Sequence, residues 1–347
     1  MSIKHLEGLF KPRSVAVIGA SHESRSIGTV VMRNLLQEGF AGPIMPINPL
    51  CRSVTGVLTY PGVLDLPVTP DLAVLCNPPA EIPQTIDELG SLGTRAVVVL
   101  TSGLAEAQVG NGITARQAML EAARRYGLRI LGSNCLGLLV PGMALNASYA
   151  HTRALPGRLA FISQSAALCA TVLDWARFKG IGFSHFVSIG NGDEIGFSDV
   201  IDYLGSDPNT HAILLYIESI RRPREFMSAA RAAARNKPVL AIKAGRMPEG
   251  ARAATSHTGA LAGSDEVYDA AFRRAGMLRV FDIDELFDAV ETLGRDRPRT
   301  GDRLAVICNG GGPGILAVDS LVAGGGQLAR FSEETMSALG RLLPSTW

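Results

Sequence analysis

Three segments of this chain read alike, and together they restrict the fold more than any other feature. They are Ser14-Val15-Ala16-Val17-Ile18-Gly19-Ala20-Ser21, Arg158-Leu159-Ala160-Phe161-Ile162-Ser163-Gln164-Ser165, and Arg303-Leu304-Ala305-Val306-Ile307-Cys308-Asn309-Gly310. Each is a short, continuous apolar run that ends in small or polar residues and leads into a stretch of helical periodicity. They recur at nearly equal spacing, Gly19 to Ser163 and Ser163 to Cys308. A parallel strand buried on both faces and feeding a helix through a tight turn has this pattern. Each segment is therefore expected to be the first strand of a domain.

The rest of the chain fits that reading. Strand candidates follow at 43–48, 72–77, 96–101 and 128–132, with helical stretches at 30–38 and 116–126 between them. A second series runs through 184–189, 212–218, 239–243 and 278–281, with an Ala/Arg-rich helix at 226–235. Alternating strand and helix predicts an α/β, doubly wound parallel sheet in each half. After residue 301 only one βαβ unit (304–308, 315–322, 327–330) and a final helix remain. About 50 residues with one sheet face bare bury little core, so this third domain reads as incomplete and the chain as part of a longer polypeptide. The predicted domains are 1–130, 131–298 and 299–347.

Composition excludes several classes. With 347 residues, 47% hydrophobic and 19% charged, the chain is a well-packed globular protein of two or three domains. A net charge of +1 gives no basic track for nucleic acid and no attraction to an acidic membrane surface. The N-terminus lacks the apolar core of a signal peptide, and no uninterrupted apolar run reaches membrane-spanning length. Five cysteines without a CxxC pair or metal-ligand spacing predict free thiols in a reducing cytoplasm and no metal site.

Candidate functional residues collect where the predicted strands end. Gly19-Ala20-Ser21 and Ser26-Ile27-Gly28 lie between the first strand and its helix. Small residues there let a ligand phosphate approach the helix N-terminus, although a plain tight turn reads the same way. The glycines are too far apart for the GxGxxG fingerprint, and no acidic residue is set to grip a ribose, which disfavours a dehydrogenase. Asn48-Pro49, Asn77-Pro78-Pro79 and Ser102 end three further strands, so all fall at the carboxyl edge where such sheets bind ligands.

In the second half, Ser163, Gln164 and Ser165 open a helix and suit either an N-cap or a phosphate nest. Glu218 directly follows the apolar run 213–217. A carboxylate there needs a partner, either an imidazole N–H or one of Arg221 and Arg222. His257 stands among small residues in Ser256-His257-Thr258-Gly259-Ala260-Leu261-Ala262-Gly263. It is a structural residue at a helix start or a nucleophile on a mobile loop. Cys135 reads as a small buried residue, and Asn309 to Gly314 as a tight strand-to-helix turn.

Taken together and in this order, these motifs resemble the NDP-forming acyl-CoA synthetases, including the ADP-forming acetyl-CoA synthetases, and the α subunit of succinyl-CoA synthetase. The segment from Leu9 to Ser21 matches the family's opening. Ser256 to Gly263 matches its phosphohistidine loop, and Glu218 matches the glutamate that holds the histidine. The resemblance implies a Rossmann-like CoA-binding domain, a flavodoxin-like domain carrying His257, and a further flavodoxin-like domain, here incomplete. It also implies an oligomer and an ATP-grasp domain or subunit that handles ATP, ADP and Mg²⁺, and that is not recognisable within these 347 residues.

The implied reaction converts acyl-CoA, ADP and phosphate to acid, ATP and CoA through an acyl phosphate and phospho-His257, with Glu218 orienting the ring. Coenzyme A would lie along Gly19, Ser21, Ser26, Gly28, Asn48, Pro49, Asn77, Pro78, Pro79 and Ser102. Ser163, Gln164 and Ser165 would hold phosphate. Two positions depart from the family pattern. Ala166 stands where Ser-Gln-Ser is usually followed by glycine, and Ser133 replaces the proline of Gly-Pro-Asn-Cys. The Ser-Gln-Ser-Ala form also resembles the synthetase-like module of bacterial protein lysine acetyltransferases, in which an acyl-CoA-sensing role and a C-terminal acetyltransferase domain would be implied.

Overall fold

The computed structural model describes residues 5–110, 112–252, 263–295 and 301–343. The chain divides into two compact units, Met1–Asp296 and Arg297–Trp347.

The first half of the larger unit runs α1 (Glu7–Phe10), β1 (Val15–Ile18), α2 (Ile27–Glu38), β2 (Ile44–Ile47), a short hairpin β3 (Ser53–Val54) and β4 (Val57–Leu58), β5 (Leu72–Leu75), α3 (Ile82–Leu92), β6 (Ala96–Val99), α4 (Ala115–Tyr126) and β7 (Arg129–Gly132). The sheet has the order β2-β1-β5-β6-β7, and every pair in it is parallel. Strands β1, β5 and β6 are made of Ala, Val, Leu and Ile alone and are buried at every position. Helices cover both faces, so alternation disappears and the sequence pattern is a continuous apolar run. Helix α2 begins at the Ser26 cap, whose hydroxyl accepts the Thr29 N–H. It ends at Gly39, which adopts the left-handed conformation that releases the chain toward β2.

The second half adds β8 (Gly137–Val140), β9 (Leu145–Ser148), β10 (Leu155–Ser163), α5 (Ala166–Lys179), β11 (Gly182–Ser188), α6 (Phe197–Ser206), β12 (Ala212–Ile217), α7 (Pro223–Ala234), β13 (Val239–Lys243), α8 (Asp265–Ala275), β14 (Leu278–Val280) and α9 (Ile283–Arg295). Its sheet order is β14-β13-β12-β10-β11-β8-β9. The sequence predicts a parallel sheet here, and five strands obey. The β8–β9 hairpin pairs antiparallel with β11 and was not anticipated. A parallel strand needs a long crossover, whereas the four residues between β8 and β9 allow only a turn back.

In each sheet the order reverses at one strand. β1 has β2 on one side and β5 on the other. β10 has β11 on one side and β12 on the other. The crevice beyond the carboxyl end of such a switch strand is where open α/β sheets bind ligands. Both motif-bearing turns, 19–28 and 163–165, follow a switch strand directly.

The two sheets are joined by charge. Arg116 Nε donates to Asp193 at 2.6 Å, and Arg129 bonds Glu194 and Asp199, each at 2.9 Å. Ser133 donates its N–H (3.0 Å) and its hydroxyl (2.7 Å) to Asp193. A proline at 133 has neither donor, so the departure from the family pattern serves this junction. A polar cleft of about 720 Å³, lined by Arg129, Glu194, Asp199 and Arg222 among others, lies at the amino end of β7.

The smaller unit holds β15 (Arg303–Leu304), α10 (Gly311–Ala323), β16 (Gln327–Leu328) and α11 (Glu333–Leu342), with β15 and β16 parallel. The strand expected over 304–308 is shorter, and helix α10 starts at Gly311. The glycines at 311, 312 and 314 are therefore helical rather than part of a turn. Among the described residues no helix is long and apolar enough to cross a membrane.

Candidate active site

The crevice at the first switch strand depends on the absence of side chains. Gly19 has φ +87°, and a Cβ there would stand 2.8 Å from the Asn77 backbone N. A Cβ on Gly28 would stand 2.6 Å from the Gly19 carbonyl oxygen. No such contact is tolerated, so the start of α2 lies directly on the β1 turn only because both residues are glycine.

Around them the hydroxyls form a closed set. Ser21 Oγ donates to Ser26 Oγ (3.0 Å), Ser26 Oγ lies 2.7 Å from Thr29 Oγ1, and Thr29 Oγ1 donates to the Ser21 carbonyl (2.6 Å). Thr29 is the hub of this turn and was missed by the sequence reading, because a threonine inside an apolar helix face gives no signal of its own. Asn48 donates to the Ala20 carbonyl (2.6 Å) and accepts the Leu50 N–H (2.8 Å), so it shapes the loop. Asn77 is 6% exposed. Its Nδ2 donates to Thr85 Oγ1 (3.0 Å) and its carbonyl accepts from Thr101 Oγ1 (2.9 Å). Its Oδ1 is buried with no hydrogen-bond partner among the described residues, which marks it as an acceptor available to a ligand. Pro49, Pro78 and Ser102 are exposed along the same edge, and Pro79 is half-buried. Arg25 and Arg52, which the sequence reading did not single out, are exposed on the loops after β1 and β2.

At the second switch strand the side chains bridge elements. Ser163 Oγ accepts the Ser165 N–H and donates to the Ser165 carbonyl, both at 3.0 Å, which folds the turn on itself. Ser165 Oγ accepts the Leu168 N–H (3.2 Å) as the N-cap of α5. Gln164 Oε1 accepts the backbone N–H groups of Glu218 (2.7 Å) and Ser219 (2.9 Å). The turn after β10 is thereby stapled to the end of β12. A cleft of about 30 Å³ opens beside it, lined by Gln164, Asn191, Ser219 and Arg221 among others. Ala166, the first residue of α5, is half-buried and packs against the second sheet's core.

Glu218 is 8% exposed at the end of β12. Of the two arginines proposed as its partners, Arg222 is engaged elsewhere. Arg222 bonds Asp199, the Glu194 carbonyl (2.8 Å) and Glu225 (2.8 Å). Burial first, then the Arg116 charge, lowers the pKa of Arg221, and Asp193 opposes that shift. Lys243 is buried at the end of neighbouring β13, where burial lowers its pKa and the charges of Asp265 and then Glu218 oppose that shift. The sequence reading missed Lys243, because one lysine closing an apolar strand looks like a solvated strand end.

His257 lies outside the described residues, as does its loop from 253 to 262. The chain on either side is held firmly. Arg246, before the loop, approaches Asp265, after it, at 3.6 Å. Arg279 also bonds Asp265 and reaches Asp269 at 3.2 Å. Tyr268 of α8 packs beside Gly263, where a Cβ would stand 3.2 Å from its ring. Arg246 follows β13 at the carboxyl edge of the sheet, and its contact draws Asp265, at the start of α8, to the same edge.

Cys135 is fully buried, and its thiol donates to the Val99 carbonyl at 3.5 Å. Burial pushes its pKa up to about 12, so it is no nucleophile.

Comparison with known proteins agrees with this geometry. A CoA binding domain matches residues 13–141, and a succinyl-CoA ligase like flavodoxin domain matches residues 156–293. The α subunit of the ADP-forming acetate–CoA ligase I of Pyrococcus furiosus is 42% identical over 91% of this chain and 69% of its own length. The chain belongs to the ADP-forming acyl-CoA synthetase family. The ADP-forming acetate–CoA ligase I of Archaeoglobus fulgidus is 40% identical over 98% of the chain, which spans 49% of that longer protein. Among solved structures, the dinucleotide-forming acetyl-coenzyme A synthetase 1 of Ca. Korarchaeum cryptofilum, in complex with phosphate and ADP, superposes with a TM-score of 0.91. It is 37% identical over 98% of this chain and 73% of its own.

Proposed function

We propose that this chain is the CoA-binding and phosphohistidine portion of an ADP-forming acyl-CoA synthetase. It would work with an ATP-grasp domain or subunit that supplies ADP and Mg²⁺ to the reaction. The observation that carries the reading is the Gln164 staple. It ties the turn at the start of α5 to the backbone of Glu218, at the carboxyl edge of the sheet.

The first crevice would take coenzyme A. Gly19 and Gly28 keep its floor low enough for a diphosphate to reach the α2 N-terminus. Asn77 Oδ1 offers an acceptor, and Arg25 and Arg52 offer charge to the phosphates. Ser21, Ser26 and Asn48 hold the loop's shape, while Pro49, Pro78, Pro79 and Ser102 form the rim. The acyl group of the thioester would then face the second crevice. Phosphate held at the start of α5, near Ser163, Gln164 and Ser165, attacks the thioester carbonyl. The C–S bond breaks, CoA leaves, and an acyl phosphate forms.

One ring nitrogen of His257 next attacks phosphorus. The P–O bond to the acyl oxygen breaks, and the carboxylate leaves. Glu218 accepts the N–H of the other ring nitrogen, which fixes the tautomer and offsets the positive charge that develops on the ring. Phospho-His257 then passes its phosphoryl group to ADP in the ATP-grasp module. The expected division at 1–130, 131–298 and 299–347 gives CoA to the first domain and the phosphoryl carrier to the second.

Labelling with [³²P]acetyl phosphate tests this with the present chain alone. Acid-labile label on the wild type and none on His257→Ala is the expected result. A wild type that binds acetyl-CoA but takes no label overturns the carrier reading and leaves an acyl-CoA-sensing module.

A further inference from the structure

Helix α7 buries Phe226, Ala229, Ala230 and Ala233 and packs beside α8. Phe226 meets Phe272 of α8 with ring centroids 6.4 Å apart, and a Cβ on Gly276 would stand 3.7 Å from the Ala234 methyl group. On the outer side of α7, Arg224, Ser228, Arg231 and Arg235 recur at steps of three and four residues, and all are exposed. With Arg274, near the end of α8, the three arginines line a groove of about 650 Å³. Met227, Ser228 and Ala232 lie between them, and no acidic residue among the described ones lines the groove.

These four guanidinium groups make no ion pair or hydrogen bond among the described residues. The acids of the two helices are engaged elsewhere or stand apart. Glu225 lies 2.8 Å from Arg222, and Asp269 is shared by Arg273 and Arg279. Glu266 is in the first turn of α8, whereas Arg274 is in its last. Helix dipoles explain only part of the row. Arg231, Arg235 and Arg274 stand at helix C-termini, where cations are favoured. Arg224 stands in the first turn of α7, where the dipole opposes it. Arg231 and Arg235, four residues apart, also repel each other. Four like charges held together without an internal counter-charge are matched from outside the chain.

The shape of the row selects the occupant. Arg224 to Arg235 extends ~16 Å along the helix axis, further than a compact phosphate cluster needs. Nucleic acid is disfavoured by a lining without an aromatic ring for base stacking and by a net charge of only +1. A helix laid along α7 carries its own side chains at the same steps, so carboxylates on one stripe meet the arginines in register. Ser228 and Ala232 are small enough to let it approach. We propose that this groove docks an acidic helix of a partner protein, its carboxylates paired with Arg224, Arg231, Arg235 and Arg274. Arginine suits that task, because its planar fork offers two N–H groups to one carboxylate. Helix α7 starts just beyond the carboxyl edge where Glu218 stands, so the docked helix has one end beside the candidate active site.

Fluorescence anisotropy with the full chain tests this. The probe is a labelled, cross-linked helical peptide with glutamates at i, i+4, i+7 and i+11, and its control has the same composition with the glutamates spread around the helix. The striped peptide is expected to bind ~10-fold more tightly than the control, and to weaken ~10-fold or more between about 20 and 200 mM salt. Arg231→Gln with Arg235→Gln should weaken it ~10-fold, and Arg224→Gln, at the other end of α7, ~3-fold. All three positions are exposed, and unchanged acetyl-CoA affinity confirms that the variants are folded.

Three results with the peptides overturn the proposal: no binding of the striped peptide at low salt, equal binding of both peptides, or a double variant that binds like wild type. Tripolyphosphate or a single-stranded oligothymidylate that binds more tightly than the striped peptide, and is lost in the double variant, also overturns it and assigns the groove to a compact anion or to nucleic acid. Sedimentation equilibrium addresses the remaining occupant. Self-association that grows with concentration and disappears in the double variant gives the groove to a second copy of this chain and overturns the partner reading. A wild type whose mass does not change with concentration supports it.

Discussion

The two switch-strand crevices have the same position in their sheets and opposite chemistry. The first, after β1, is built by subtraction. Two glycines bring backbones together, and neutral hydroxyls and amides close the loop around them. The second, after β10, is built by bridging. Gln164 spans two strand ends, Glu218 and Lys243 are buried where their strands end, and Asp265 pairs with Arg279. The contrast follows from the work proposed for each. Binding a large anion needs close approach and donors, whereas moving a phosphoryl group onto a neutral imidazole needs charge fixed in advance.

If that contrast is right, the two edges can be broken separately. The largest effect is expected from Glu218→Gln, which should slow labelling by acetyl phosphate by ~100-fold or more while leaving acetyl-CoA affinity intact. Equal loss of labelling and of CoA binding would show that Glu218 serves the fold instead.

A buried, neutral imidazole away from both edges provides the control. His185 on β11 is packed against Phe10 and Tyr203. Burial lowers its pKa to about 4; Asp207 opposes that shift, and Lys11 and Lys237 add to it. The folded state therefore binds the proton less readily than the unfolded chain. Its contribution to stability is complete above pH 6.5 and is lost as the pH falls from 6.5 toward 4. Urea unfolding should show ~2 to 3 kcal/mol lost across that window, and much less in His185→Gln. Phosphoryl transfer at neutral pH should not respond to this variant.

Gly28→Ala attacks the first edge alone. Its methyl group meets the Gly19 carbonyl, so acetyl-CoA should bind ~10-fold more weakly by calorimetry, while labelling is unchanged. Smallest are the two caps. Ser26→Ala and Ser165→Ala should each cost about 1 kcal/mol in urea unfolding. Ser165→Ala should in addition slow labelling, and Ser26→Ala should not, because only Ser165 stands at the phosphate turn.

Much of this was legible in the chain. The runs 15–18, 72–75 and 96–99 are apolar throughout because both faces of the sheet are covered. Each such run stops where the strand meets solvent, so Gly19, Asn77, Ser163 and Glu218 fell at carboxyl edges by necessity. The Ser-Gln-Ser motif could be read as cap or cradle, and both serines prove to be engaged within their own turn. The β8–β9 hairpin was not legible, since its alternation is masked by burial on both faces.

The sequence by itself therefore determined the alternation of strand and helix and the two edges at which chemistry collects. Those properties follow from local periodicity and from where hydrophobic runs end. Only the tertiary structure decided which polar groups serve one another. Gln164 and Glu218 are 54 positions apart, Ser133 and Asp193 60, yet each pair shares a hydrogen bond. It likewise gave Arg222 to Asp199 and Arg279 to Asp265, because a buried charge is matched by whatever partner the packing of neighbouring elements brings within reach.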